Sequence, residues 1–116
     1  VKVIVAGSRT IHDYEAVCKA INASGFEITE LISGTAIGVD LLGEAWAGEH
    51  GIPIQRFPVT REDWKRWGLS AGHKRNALMA YHGEALILIW DGKSNGSAGM
   101  LDIAKRRGLK IFEVVI

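Results

Sequence analysis

Five short apolar runs, Val3–Ala6, Ile28–Ile32, Ile52–Phe57, Ala85–Trp90 and Leu109–Ile116, divide the chain into intervals filled by amphipathic segments. The runs are rich in β-branched residues and do not alternate strictly between apolar and polar. That is the pattern of strands covered on both faces. In the first interval Asp13 precedes Tyr14, Val17, Cys18 and Ile21 at helical spacing, and Gly25 stops the run. This predicts a capped helix. A second helix is expected from Gly38 or Val39 to just before Gly51, with Leu42, Ala45 and Trp46 on one face. A third runs from Ser70–Gly72 to Gly83 and carries Arg75, Leu78 and Met79, and a fourth runs from Asn95–Gly96 to Gly108. Strand–helix alternation at this spacing forces parallel strands and right-handed crossovers. The expected fold class is α/β: a single three-layer Rossmann-like domain over 1–116, with about five mostly parallel strands and helices on both faces.

Composition narrows the function classes. With 116 residues, 47% apolar and 23% charged, the chain can bury one modest core. A formal net charge of +1 provides no global attraction to nucleic acid or an anionic membrane, only local patches. The single cysteine, Cys18, excludes an internal disulfide and a cysteine-rich zinc site, and its neighbours place it in a helix core rather than as a nucleophile. No apolar run reaches the ~18–20 residues that span a bilayer, and no charged leader precedes the first strand. A cytoplasmic protein without a membrane partner is expected. His12, His50, His73 and His82 show no metal-ligand spacing, so no metal and no required cofactor are expected. Lys105, Arg106 and Arg107 fall in the last turn of the fourth helix, where cations oppose the negative end of its dipole.

Ligands of an open parallel sheet bind outside the carboxyl ends of the strands. Gly7-Ser8-Arg9 follows the first strand, and "SGTAIGVD", Ser33 to Asp40, follows the second. "WDGKSNGSAGM", from Trp90 through Asp91-Gly92 to Met100, ends the fourth, and "AGHKRN", Ala71 to Asn76, opens the helix before it. Three of the strand ends are thus glycine-rich and hydroxyl-bearing, and two of those lead into a helix N-terminus. Backbone N–H groups and the helix dipole suit such places to anions. Ser8, Ser33, Thr35, Ser94 and Ser97 add hydroxyl donors, and Arg9 and Arg75 add fork-shaped cations matched to phosphate. For Arg9 the reading is phosphate contact ahead of an ion pair with Asp13, Asp40 or Asp91. Asp40 either caps its helix and holds the glycine loop or accepts from a sugar hydroxyl, and Asp91 carries the same two readings.

Standard fingerprints are absent. There is no G-x-x-x-x-G-K-[ST]. There is no G-x-G-x-x-G after the first strand, and the second strand ends on Ser33 rather than an acidic ribose ligand. No Ser-His-Asp set can be picked out, so catalytic residues are not assigned. The stretch Pro58 to Gly72 is long for a β–α connection. Trp64 and Trp67 in it are spaced to share one face of a short helix, for packing or a dimer contact or, more sharply, for stacking on a base.

Four motifs, "GSR" at 7–9, "SGTAIGVD" at 33–40, "AGHKRNALM" at 71–79 and "WDGKSNGSAGM" at 90–100, stand in order at successive strand ends. Together they resemble the SLOG superfamily of Rossmann-like proteins, which includes the DNA-processing protein DprA/Smf and the "lonely guy" phosphoribohydrolases. The likeness is greatest to its small stand-alone members, the YAcAr and YspA-like proteins. The resemblance implies a pocket for a nucleotide or nucleotide-derived ligand at Gly7, Ser8, Arg9, Gly34, Gly38, Asp40, Arg75, Asn76, Gly96 and Ser97, and pairing into a homodimer beside it. DprA-like binding of single-stranded DNA is the alternative, through Arg56, Arg61, Lys65, Arg66, Lys74, Trp64 and Trp67. The phosphoribohydrolases carry a catalytic Glu three residues after the Thr of a Gly-Thr loop. Here that pair is Gly96-Ser97 and the Glu position falls on Met100. A thioether cannot accept a proton, so N-glycosidic cleavage would need Glu84, Asp91 or Asp102 instead.

Overall fold

The computed structural model describes residues 1–116. Strand β1 (Lys2–Gly7) occupies the middle of a five-stranded, wholly parallel sheet of order β3-β2-β1-β4-β5. The other strands are β2 (Glu30–Ser33), β3 (Ile54–Arg56), β4 (Ala85–Trp90) and β5 (Lys110–Val115). The helices are α1 (Tyr14–Ala23), α2 (Val39–Glu49), α3 (Arg61–Trp67), α4 (Ser70–His82) and α5 (Asn95–Arg106).

Successive strand side chains point to opposite faces, and the two faces build two cores. Val3, Val5, Leu31, Ile87 and Ile89 pack with Val17 and Ile21 of α1 and Val39, Trp46 and Ala47 of α2. Ile4, Ile32, Leu86 and Leu88 pack with Met79 and Ala80 of α4 and Met100 and Ile103 of α5. All six residues of β4 are buried, as an apolar run without alternation predicts.

The edges depart from the expectation of strands buried on both faces. No residue of β5 is fully buried, because no strand lies beyond it and its cover is thin; Val115 and the following Ile116 are each 61% exposed. β3 shrinks to three residues between Pro53 and Pro58, neither of which can donate to a ladder.

From β1 the chain builds outward through β2 to β3, then returns past β1 to add β4 and β5. The helix after β1 lies on one face and the helix after β4 on the other. A crevice therefore opens between the carboxyl ends of these two strands, the switch point where open α/β sheets take ligands.

The stretch Pro58 to Gly72 contains the short helix that the spacing of Trp64 and Trp67 suggests, the seven-residue α3, in addition to the four longer helices. Thr60 caps it: its hydroxyl accepts the Asp63 N–H at 3.1 Å, and the Asp63 carboxylate accepts the Thr60 N–H at 3.0 Å. Those hydrogen bonds hold the Asp63 carboxyl below its ordinary range. α3 buries no residue, so the cap is its main internal support. Thr60→Ala is expected to lower stability by about 1 kcal/mol and to speed amide hydrogen exchange selectively in α3. Unchanged exchange there would show that the box does not hold the helix.

Candidate anion-binding site

A cavity of about 200 Å³ lies at the switch point. Ala6, Gly7 and Arg9 line it from β1 and its carboxyl end, and Ala36 and Asp40 from the loop after β2 and the first turn of α2. One face of α4 contributes Arg75, Asn76 and Met79, and the start of α5 contributes Ser94, Gly96, Ser97 and Met100. Four chain segments far apart in sequence thus meet at one place.

Arg9 and Arg75 face the same space. Neither takes part in an ion pair; the two ion pairs in the protein are Arg56–Glu44 and Arg106–Asp102. The expected alternative for Arg9, pairing with Asp13, Asp40 or Asp91, does not occur. Arg75 is aimed by two hydrogen bonds: Nη1 donates to the Gly34 carbonyl at 2.6 Å, and Nε donates to Asn76 Oδ1 at 3.1 Å. Asn76 in turn donates to the Gly96 carbonyl at 3.4 Å, tying α4 to α5. A guanidinium has five N–H donors, so most of the Arg75 fork stays free. Burial lowers the Arg75 pKa; Asp40 acts against that and Arg9 with it.

The N-terminus of α5 adds backbone donors. Ser94 is the N-cap residue but its hydroxyl does not cap; it lies 3.4 Å from the Ser8 hydroxyl instead. The N–H groups of Asn95, Gly96 and Ser97 have no acceptor within the protein. Together with the helix dipole they favour an anion.

Asp40 is the single carboxylate lining this cavity and is 4% exposed. Burial pushes its pKa up to about 6, against hydrogen bonds from the Ala36 and Gly7 N–H groups and the charges of Arg75 and Arg9. Of its two readings, loop support is visible: Oδ2 accepts the Ala36 N–H at 3.3 Å. Gly34 sits between Asp40 and Arg75, where a Cβ would fall 2.7 Å from Asp40 Oδ2 and 2.8 Å from Arg75 Nη1. Any side chain there would push the two charged groups apart. The neighbouring Thr35 adopts a left-handed conformation, φ 63°, costly for a β-branched residue.

Several residues expected in the site support it from behind. Ser33 is fully buried; its hydroxyl donates to Glu44 at 2.7 Å and accepts the Thr35 N–H at 3.0 Å. Ser8 is buried and accepts the Asp91 N–H at 3.0 Å. Asp91 accepts the Lys93 and Ser94 N–H groups at 2.8 and 2.9 Å, which holds its carboxyl below the ordinary range and shapes the turn containing Gly92. Gly38 packs on the Ser8–Arg9 backbone. Gly34 and Thr35 line an adjoining lobe that shares Arg9 and Arg75 with the cavity.

Sequence reasoning passed over Ala6, Ala36 and Met79 on the cavity wall. It also passed over Glu44, which bridges Ser33 and Arg56. The substitutes for the missing Glu do not line the cavity. Glu84 accepts the Lys2 N–H at the amino end of the sheet, Asp102 is exposed and paired with Arg106, and Asp91 is committed to its turn. Met100 is buried and forms part of the cavity wall.

A family model described as the YspA, cpYpsA-related SLOG family (YAcAr) matches residues 1–67, the half of the chain that carries "GSR" and "SGTAIGVD". None of the curated proteins compared with the chain matches it. Among solved structures, DNA processing protein A (DprA) from Streptococcus pneumoniae is similar, with a TM-score of 0.77 over 97% of this chain and 22% sequence identity. This chain spans 49% of that one, and the likeness is one of fold.

Proposed function

The chain belongs to the YspA, cpYpsA-related SLOG family, and on that premise we propose that it binds a nucleotide or nucleotide-derived ligand by seating a phosphate in the switch-point cavity. Family and fold support a role in binding nucleotides or nucleic acid in general. The observation that carries the finer reading is the meeting of Arg9, Arg75 and the free N–H groups of α5 on one cavity. Oriented guanidinium donors bind phosphate in bidentate fashion, and Arg75 is already oriented by Gly34 and Asn76.

The thioether of Met100, where the related hydrolases hold a carboxylate, favours binding over bond cleavage. Were a glycosidic bond cleaved here, Asp40 would be the acid within reach, since Glu84, Asp91 and Asp102 stand elsewhere.

Titration calorimetry with mono-, di- and cyclic nucleotides and ADP-ribose tests the reading. A phosphate-bearing ligand should bind, and Arg9→Ala should weaken it about tenfold or more, the value of a charge-assisted hydrogen bond. Arg9 is exposed, so the substitution should leave the fold intact. Failure of every phosphate compound to bind, or equal affinity in the variant, would refute the proposal.

The single-stranded DNA alternative depends on the basic residues around Trp67. Lys74 Nζ lies 4.2 Å from that ring's centroid, and the Arg66 guanidinium 5.2 Å. Arg56 is engaged by Glu44 at 2.8 Å, which removes one cation from the expected track. Oligonucleotide binding that falls steeply with salt, and survives Arg9→Ala, would favour this alternative.

A further inference from the structure

Two lobes, of about 200 and 360 Å³, share both Arg9 and Arg75 with the anion cavity. Arg9, Arg75 and Trp64 line both. The larger lobe also meets Asn76 and Gly96, which line the anion cavity itself. An anion held by the two arginines therefore has an aromatic ring at the border of each space next to it. The larger lobe is within the size range of small-ligand sites.

The two tryptophans of α3 differ in a way their spacing does not reveal. Trp67 already has partners, with Arg66 and Lys74 placed over its ring. Trp64 has neither an aromatic nor a cationic partner. It is nevertheless 40% exposed and borders the arginine pair. Its ring edge packs toward Gly72 of α4, and the capping box of Thr60 and Asp63 holds the helix that carries it. A positioned, unpartnered indole beside a phosphate-type site suits a flat π-system joined to an anion by a short spacer. A nucleoside monophosphate has that shape.

Resting on the phosphate-seating reading above, we propose that Trp64 is the platform on which the base of a nucleoside monophosphate stacks, and so the residue that distinguishes a nucleotide from a bare sugar phosphate. Stacking of a base on an aromatic side chain tolerates any base, because each has a π-face. The site therefore selects for the presence of a base more than for its identity.

The test compares AMP with ribose 5-phosphate on the wild-type chain and on Trp64→Leu, Trp64→Phe and Trp67→Leu. Wild type should bind AMP about tenfold more tightly than ribose 5-phosphate, the low end of one stacking contact. Trp64→Leu should erase that preference without changing ribose 5-phosphate affinity, Trp64→Phe should keep most of it, and Trp67→Leu should keep it all. Equal wild-type affinity for the two compounds, or equal AMP loss in Trp64→Leu and Trp67→Leu, would overturn the platform while leaving the phosphate site standing. Binding of neither compound would remove the phosphate site, and the platform with it. Loss of oligothymidylate binding in Trp64→Leu with AMP binding intact would assign the ring to single-stranded DNA and overturn the nucleotide form.

Discussion

Gly7→Ala is expected to cost about 4 kcal/mol or more, placing it among the exceptional single substitutions. A domain of this size has a total stability of only about 5–15 kcal/mol, so the variant should be largely unfolded or should melt about 15 °C lower. Gly7 is the last residue of β1 and pairs with Ile89 of β4. A Cβ at this position would lie 1.7 Å from the Ile89 carbonyl oxygen, 2.8 Å from its carbonyl carbon and 2.9 Å from Val39 Cγ2. The obstacle is backbone, and that carbonyl also accepts the Ser8 N–H at 3.1 Å. Relief would require the two central strands to part where the sheet opens onto the cavity. Gly48, on an open stretch of α2 with nothing within 4 Å of a Cβ, is the matched control, because alanine there meets no obstacle. Thermal unfolding followed by far-ultraviolet circular dichroism decides it. A Gly7→Ala melting point within about 3 °C of wild type, the span of less than 1 kcal/mol, would mean that the strands tolerate a wider separation than the packing indicates.

That glycine shows why much of the site could be read from the chain itself. A buried apolar run ending on Gly7-Ser8-Arg9 is chemically abrupt, and both the close approach at Gly7 and the unpaired Arg9 are present. Parallel strands were legible because β1 and β4 lack polar alternation. The edge strands escaped, since an apolar run does not say whether a neighbour covers it. The α3 capping box was written as Thr60-x-x-Asp63, with Asp where Glu or Gln is the usual signal. Glu44 could not be found by local reasoning. Its partners Ser33 and Arg56 lie 11 and 12 residues away and come near only once β2, α2 and β3 have assembled. The division of labour between the two aspartates was likewise a tertiary matter. Asp91 has neighbouring N–H groups to satisfy it, whereas Asp40 is carried beneath the Gly34 turn and loses its water.

Asp40 makes the stability of the wild-type chain fall as pH rises. Its folded pKa of about 6 stands above the ordinary 3.8 because burial disfavours the charged form. Below 3.8 the carboxyl is protonated in both folded and unfolded chains and contributes no pH dependence. Between 3.8 and about 6 the unfolded chain releases the proton while the folded chain keeps it, so each rise in pH favours unfolding. Above about 6 the penalty is complete, at about 3 kcal/mol for a rise of this size. Asp40→Asn removes that dependence. The amide leaves one N–H donor at the loop unanswered, but this cost does not vary with pH. The readout is therefore the difference between variant and wild type, which should move about 3 kcal/mol in the variant's favour between about pH 3.5 and about pH 7.5. Asp63 and Asp91, with lowered pKa values, titrate in both proteins and cancel. A difference that stays flat across that range would mean that Arg75 and Arg9 fully compensate the buried charge. The same proton acts on the ligand. Sulfate keeps its charge throughout the range, unlike a phosphate monoester with its second pKa near ~6, and so it isolates the protein's contribution. Sulfate held by Arg9 and Arg75 would feel the Asp40 charge. Its affinity should therefore rise as pH falls through about 6 in wild type and stay level in Asp40→Asn.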